Sequence, residues 1–139
     1  MLLRAACIQL TSGPSLKDNI DGAGQLVSKA RDQGANFVFL PENVGLLGPG
    51  CVMREQAAPE DKHRALIEFR TLAARLGLWM LVGSLAVKRE DNGLANRSYL
   101  IDPSGNLVSR YDKIHMFDVD LPNGESYRES ENYVVGTQA

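Results

Sequence analysis

The sequence predicts an α/β fold, and three observations near its start predict it. A short apolar segment, Leu3 to Leu10, runs into the turn residues Thr11-Ser12-Gly13-Pro14. An amphipathic helical pattern follows, and a second apolar segment, Asn36 to Leu40, then stops at Pro41. Strand, helix, strand in that order predicts two parallel neighbouring strands, because the helix crosses over the sheet between them. At 139 residues the chain is about one domain long, and a chain of this size buries roughly two-thirds of the surface its unfolded form exposes.

The first helix is marked by its cap. Ser15 and Asp18 form an S-x-x-D pattern in which each side chain can satisfy a free amide of the first turn. Leu16, Ile20, Ala23, Val27 and Ala30 then recur at helical spacing as one apolar stripe. Gly22 and Gly24 weaken the stretch and Gly34 ends it. Gly45 to Gly50 reads as a glycine-rich loop. A second helix is expected from about Asp61 to Leu76, with Leu66, Phe69, Leu72, Ala73 and Leu76 facing inward and Gly77 as the stop.

Leu78 to Val87 is strand-like. Leu94 to Asp102 and Leu107 to Tyr111 read as a β-hairpin, joined by Asp102-Pro103-Ser104-Gly105, the residues a type I turn prefers. Between Tyr111 and Tyr133 the periodicity disappears. A polar loop of about twenty residues inside a compact domain is usually functional or mobile. No internal repeat, linker or low-complexity tract interrupts the chain.

Composition narrows the function classes. Fifteen basic and seventeen acidic residues nearly cancel, so no long-range field draws a polyanion to this surface and nucleic-acid binding is not expected. Cys7 and Cys51 are too few for a disulfide scaffold, and no CxxC pair or Cys/His metal spacing exists. That usage fits a reducing compartment. Met1 to Cys7 superficially resembles a lipoprotein cleavage segment, but Arg4 interrupts it after two leucines. No window approaches the roughly 18 apolar residues of a membrane span, so a cytoplasmic protein without membrane contact is expected.

Two residues stand where chemistry could be done. Glu42 lies just beyond the second predicted strand, with Pro41 fixing the exit direction. Ligands of open α/β sheets gather at that edge, so a carboxylate there suits general acid–base work. By position alone, a solvated surface glutamate is the plainer reading. Lys113 follows the second hairpin strand, where the polar loop begins. A lysine beside a carboxylate can stabilise negative charge on a tetrahedral intermediate, although a lone lysine is more often simply solvated.

Three segments carry a family resemblance: Pro41-Glu42-Asn43 after a strand, the hairpin ending in YDKIHMFDVD (Tyr111 to Asp120), and Arg128-Glu129-Ser130 before a glycine. Together they resemble the nitrilase superfamily of carbon–nitrogen hydrolases, from the AACIQL strand to Gly136, and the lysine segment is the specific part. In that family a Glu, a Lys and a Cys act together, and the resemblance maps the first two onto Glu42 and Lys113. It maps a second glutamate, which helps position substrate, onto Glu129, with Glu125 and Glu131 close enough to leave that assignment open. The fold it implies is an α-β-β-α sandwich, two sheets face to face with helices outside. Residues 1–139 would be the N-terminal half of that domain. The family's cysteine nucleophile lies on a later strand, in a stretch resembling VCYD, and no cysteine follows Asn132 here. Val135 also stands before Gly136 where relatives often carry proline.

The implied chemistry begins with a thiolate attacking an amide or nitrile carbon. A carboxylate takes the thiol proton and hands it to departing ammonia, while a lysine ammonium sits against the oxyanion. Lacking the thiol, the chain alone would be inactive. The KIHMFDVDLPNGESYRES segment looks most like the Nit-type branch, which resembles ω-amidases and deaminated-glutathione amidases acting on a terminal amide of a small dicarboxylate-like substrate. Arg128 could pair with a substrate carboxylate, and a loop arginine in a surface ion pair is the equal alternative. Two other functions remain open: a non-catalytic half-domain that binds a partner through uncovered sheet surfaces, and a nitrilase acting on nitriles. The resemblance also implies a homodimer at full length, and neither a metal nor an organic cofactor.

Other features read as structure. Cys7, mid-strand among apolar residues, is expected to be a buried, inert hydrophobe. Cys51 sits in the glycine-rich loop without a neighbouring base or cation. That loop lacks the Lys-Ser/Thr of a phosphate-binding loop. Asp118, Asp120 and Glu129 match three positions of a calcium loop, but Pro122 takes a ligand position and the glycine comes one place late. His63 is expected on a helix surface and His115 in the active-site loop.

Overall fold

A computed structural model of the chain describes residues 2–138. Met1 and Ala139, the two ends of the expected 1–139 domain, lie outside the described residues. Strand β1 (Ala5–Cys7), helix α1 (Leu16–Asp32) and strand β2 (Phe37–Phe39) open the chain. Helices α2 (Gly50–Gln56) and α3 (Arg64–Leu76) follow, with a 3-10 turn at Glu60–Lys62 between them. Then come β3 (Trp79–Lys88), β4 (Leu94–Ile101) and β5 (Leu107–Asp112), and a small hairpin of β6 (Asp118–Asp120) and β7 (Ser126–Arg128). The main sheet runs in the order β1-β2-β3-β4-β5. Its first three strands are parallel and the last two pairings antiparallel.

Local chemistry accounts for most of this. Ser15 caps α1 by accepting from the Asp18 amide at 3.3 Å. Gly77 ends α3 in the left-handed region with φ 60°, where only glycine escapes a Cβ penalty. Asp102 holds its turn by accepting from the amides of Ser104 and Asn106 at 2.8 and 2.9 Å.

One face of the sheet carries the core. Ala23, Val27 and Ala30 of α1 and Leu66, Phe69, Leu72 and Ala73 of α3 pack on Val38, Met80, Val82, Tyr99 and Ile101. Burying a side chain such as Phe69 contributes about 1.5–3 kcal/mol. The other face follows from the strict two-residue period of strands. Ala5, Phe37 and Trp79 lie in one register row and Cys7, Phe39 and Leu81 in the next. Phe37 stacks on Phe39 and Trp79 with ring centroids 4.6 and 6.5 Å apart. This face is only half-buried, and Cys7 is exposed. The expectation that Cys7 is a buried core residue is therefore corrected: α1 and α3 both pack against the other side. One helical layer on one sheet is the half of the α-β-β-α sandwich that the family resemblance implied.

Two elements were not expected. Helix α2 has no apolar periodicity, and it is held by Met53 packing with Leu46, Ala86, Leu94 and Tyr133. The β6–β7 hairpin occupies part of the predicted polar loop, turning through Gly124 at φ 88°. Asn123-Gly124 is the signal that could have found it.

His63 is also corrected, from helix surface to interior: it is buried at the N-terminus of α3. Its Nε2 faces the Ala86 carbonyl oxygen at 3.2 Å and so carries the hydrogen, while Nδ1 is buried with no partner among the described residues. Burial holds the imidazole below its ordinary pKa of 6.5, only partly offset by the Ala86 hydrogen bond. In the unfolded chain the ring takes up a proton as pH falls through 6.5, and in the folded chain it resists. Stability is then lost from that point downward, toward the lower folded pKa. The paired carboxylates add their loss only further down, below the ordinary 4.5 of a glutamate. Urea midpoints measured from pH 7 to pH 5 are expected to fall in the wild type and to stay level in His63→Leu, on the order of the window between these groups' ordinary values. Parallel curves for the two proteins would remove His63 as the cause.

Candidate active site

Glu42 is presented by a tightly built corner. After β2, the Leu40 amide still donates to the Leu81 carbonyl at 2.9 Å, and the chain then turns at Pro41. Asn43 takes a positive φ of 51°, which asparagine tolerates better than most residues. The Asn43 amide donates to Ser84 Oγ at 2.9 Å, and the Val44 amide to the Ser84 carbonyl at 3.2 Å. Gly83 and Ser84 sit where the β3–β4 register slips between Val82 and Leu85. A Cβ on Gly83 would lie 2.3 Å from the Leu40 oxygen, so the corner rests directly on the β3 backbone.

Lys113 is the first residue beyond β5. Its amide donates to the Asn96 carbonyl at 2.9 Å and its carbonyl accepts from Gly136 at 2.8 Å. Glu129 opens the 3-10 turn Glu129–Glu131 after β7. Its amide donates to the Phe117 carbonyl at 3.2 Å, and its Oε2 accepts from the Phe117 amide at 2.6 Å. Three loops from distant parts of the chain thus converge at the same edge of the sheet.

There Lys113 Nζ donates to Glu42 Oε1 at 2.9 Å and to Glu129 Oε2 at 2.8 Å. The buried Asn96 of β4 donates through Nδ2 to Glu42 Oε1 at 2.7 Å and to Glu129 Oε1 at 3.2 Å. Burial by itself lowers the Lys113 pKa, but the hydrogen bonds of Glu129 and Glu42 outweigh it and the ammonium is held above its ordinary value. Burial likewise pushes the Glu129 carboxyl up, and the bonds from Lys113, the Phe117 amide and Asn96 more than reverse it. Burial, reinforced by the Glu129 and Glu42 charges, raises the Tyr133 phenol, which stays neutral. A cleft of about 290 Å³ opens over this group, walled by Leu47, Met53 and Phe117 and by Asn132 and Tyr133. In a larger groove, Arg97 and Arg110 are both paired with Glu60.

Of the sequence candidates, the structure joins Glu42, Lys113 and Glu129. Glu125 and Glu131 are exposed and make no side-chain bond to Lys113 among the described residues. Arg128 is not brought to the cleft: it donates to the Val119 and Tyr127 carbonyls and pairs with Asp120 at 2.5 Å, pinning the β6–β7 hairpin. His115 is exposed. Cys51 is exposed in α2, next to the Gly50 that lines the cleft. No cluster of His, Cys, Asp or Glu among the described residues has metal-holding geometry. No helix among them is long and apolar enough to cross a membrane. Asn96 was missed. Nothing in a single sequence distinguishes a buried asparagine at mid-strand from a solvated one.

A profile of the carbon–nitrogen hydrolase family matches residues 4–138. The chain belongs to the carbon–nitrogen hydrolase family. Among its curated relatives, a deaminated glutathione amidase of Synechocystis sp. is 38% identical over 134 residues, covering 95% of this chain and 49% of that protein. An omega-amidase of Danio rerio is 33% identical, covering 96% and 47%. This carbon–nitrogen hydrolase chain thus spans about half the length of the curated relatives it matches. The Caenorhabditis elegans NitFhit protein superposes with a TM-score of 0.81 at 26% identity, over 96% of this chain and 33% of that one. An amidase from Nesterenkonia sp. also gives 0.81, at 23% identity over 98% and 49%, which shows the shared fold.

Proposed function

We propose that the protein containing this chain is an amidase that hydrolyses a small terminal amide to a carboxylate and ammonia. The observation that carries this reading is the convergence of Glu42, Lys113 and Glu129, bonded at 2.9 and 2.8 Å although 71 and 16 residues separate the pairs. Glu42 is the general base: it takes the proton of an attacking thiol as the sulfur–carbon bond forms, and delivers it to the departing nitrogen as the carbon–nitrogen bond breaks. Lys113 faces the developing oxyanion and Glu129 holds the lysine in place. Water then attacks the thioester with Glu42 again as base, releasing the acid and the thiol. The similarity to deaminated glutathione amidase and omega-amidase supports a substrate that is a terminal amide on a small carboxylate-bearing molecule.

Neither Cys7, on the open sheet face, nor Cys51 contacts Glu42 or Lys113 among the described hydrogen bonds, so the thiol is assigned to another segment of the protein. The test compares the 139-residue chain with the full gene product that contains it, by ammonia release from a panel of small carboxylate-bearing ω-amides. The full product is expected to turn over, and the chain alone is not. Thiol-dependent turnover by the 139 residues alone would overturn the assignment.

A further inference from the structure

We propose that Asn96 is a positioning residue of this site, orienting both carboxylates and deciding which oxygen of Glu42 acts as the base. The inference rests on the amidase reading for its chemistry, but its geometry stands independently. Both partners of the Asn96 side chain are carboxylate oxygens, which only accept, so Nδ2 must face them. It donates to Oε1 of Glu42 and Oε1 of Glu129, while its own backbone carbonyl accepts from the Lys113 amide. One buried residue in the middle of β4 therefore touches all three charged members of the group.

The consequence lies in how the lone pairs are used. Lys113 and Asn96 both donate to Glu42 Oε1, and no described residue donates to Oε2. Oε2 is thus the atom left free to take a proton. Both oxygens of Glu129 are occupied, by Asn96 and Lys113 on Oε1 and by Lys113 and the Phe117 amide on Oε2. That saturation suits it to hold Lys113 rather than to exchange protons. Two carboxylates and one ammonium leave one excess negative charge, and a neutral double donor between the carboxylates lets them approach without a second cation. Without Asn96, Glu42 could rotate and offer Lys113 either oxygen. The base would then reach the cleft in a mixture of orientations.

The experiment uses the full gene product and three variants. Asn96→Leu keeps the approximate volume and removes the donor. Its kcat is expected to fall ~10–100-fold, the scale of a misplaced catalytic group, with KM within about twofold. Asn96→Asp keeps the shape, and its new carboxyl donates only while protonated. Its kcat should therefore recover toward the acid side of the pH profile and collapse on the alkaline side, a pattern that mere loss of folding does not produce. E42Q, inactive on the amidase reading, separates failure of that reading from failure of this one. Carboxyl-carbon NMR titration of Asn96→Leu gives an answer without turnover: the Glu129 midpoint should rise, because one of the bonds that holds it down is gone. If the wild type hydrolyses no amide, that titration alone decides the positioning role. An unmoved Glu129 midpoint overturns the proposal, and so does Asn96→Leu with kcat within twofold of wild type.

Discussion

Glu42→Gln in the full gene product is expected to lower kcat for amide hydrolysis by about 10³-fold or more, while KM changes little. The loss of general-base catalysis accounts for roughly 10²–10⁴ of rate. The structure makes this variant a clean one. Glutamine can keep its carbonyl oxygen where Oε1 now accepts from Asn96 and Lys113. The position of Oε2 then becomes an amide nitrogen, a donor with no basic lone pair. Shape, volume and both hydrogen bonds survive, and only the proton acceptor is lost. Lys113→Met should also be severe, for a different reason. It leaves two carboxylates sharing one asparagine with no cation between them, so at least one is driven toward its protonated form, and under the proposed mechanism the oxyanion loses its donor, worth ~10²–10³ in kcat. Steady-state ammonia release for both variants, with thermal unfolding alongside, is the measurement. A Glu42→Gln enzyme within tenfold of wild type would falsify the base assignment.

Gly83→Ala is expected to be severely damaging for a single-methyl change, acting on stability and activity together. Its Cβ would stand 2.3 Å from the Leu40 oxygen and 2.5 Å from the Pro41 carbonyl carbon. Both obstacles are backbone, so no side chain can swing aside, and the β3 backbone or the Pro41–Asn43 corner must shift. Overpacking of this kind typically costs about 1–3 kcal/mol. The corner is also what aims Glu42, through the Asn43 amide on Ser84 Oγ. A shift of about an ångström at a catalytic group can remove another ~10²-fold of rate. Denaturant midpoints and kcat for Gly83→Ala, beside Ser84→Ala as a variant that loosens the same corner without a clash, distinguish the two contributions. Unchanged stability in Gly83→Ala would mean that the corner does not rest on this backbone.

How much of this was legible in advance depended on the range of the interaction. The α1 cap, the Gly77 stop and the Asp102–Gly105 turn are decided within a few residues, and each stands where the sequence placed it. The parallel pairing of β1 and β2 follows from chain order and helix handedness. Elements without periodicity were lost. Helix α2 exists because Met53 docks against residues from four other stretches of chain, and its own seven residues carry no stripe. Which face of β1 is covered was equally invisible. Cys7 and Ala6 are neighbours in sequence, and only the placement of α1 and α3 decides that Ala6 packs inward while Cys7 does not.

The same division runs through the site. The sequence by itself placed Glu42 and Lys113 at the ends of strands, because strand ends are local features, whereas Glu129 entered only through the family resemblance, with Glu125 and Glu131 left open beside it. Tertiary structure set Glu129 apart from Glu125 and Glu131, by the Phe117 amide that fixes its carboxylate beside Lys113. It also turned Arg128 away toward Asp120 and brought Asn96 between the two carboxylates. The physical reason is that a hydrogen bond of about 3 Å has no counterpart in sequence spacing when its partners lie 54 residues apart, as Asn96 and Glu42 do.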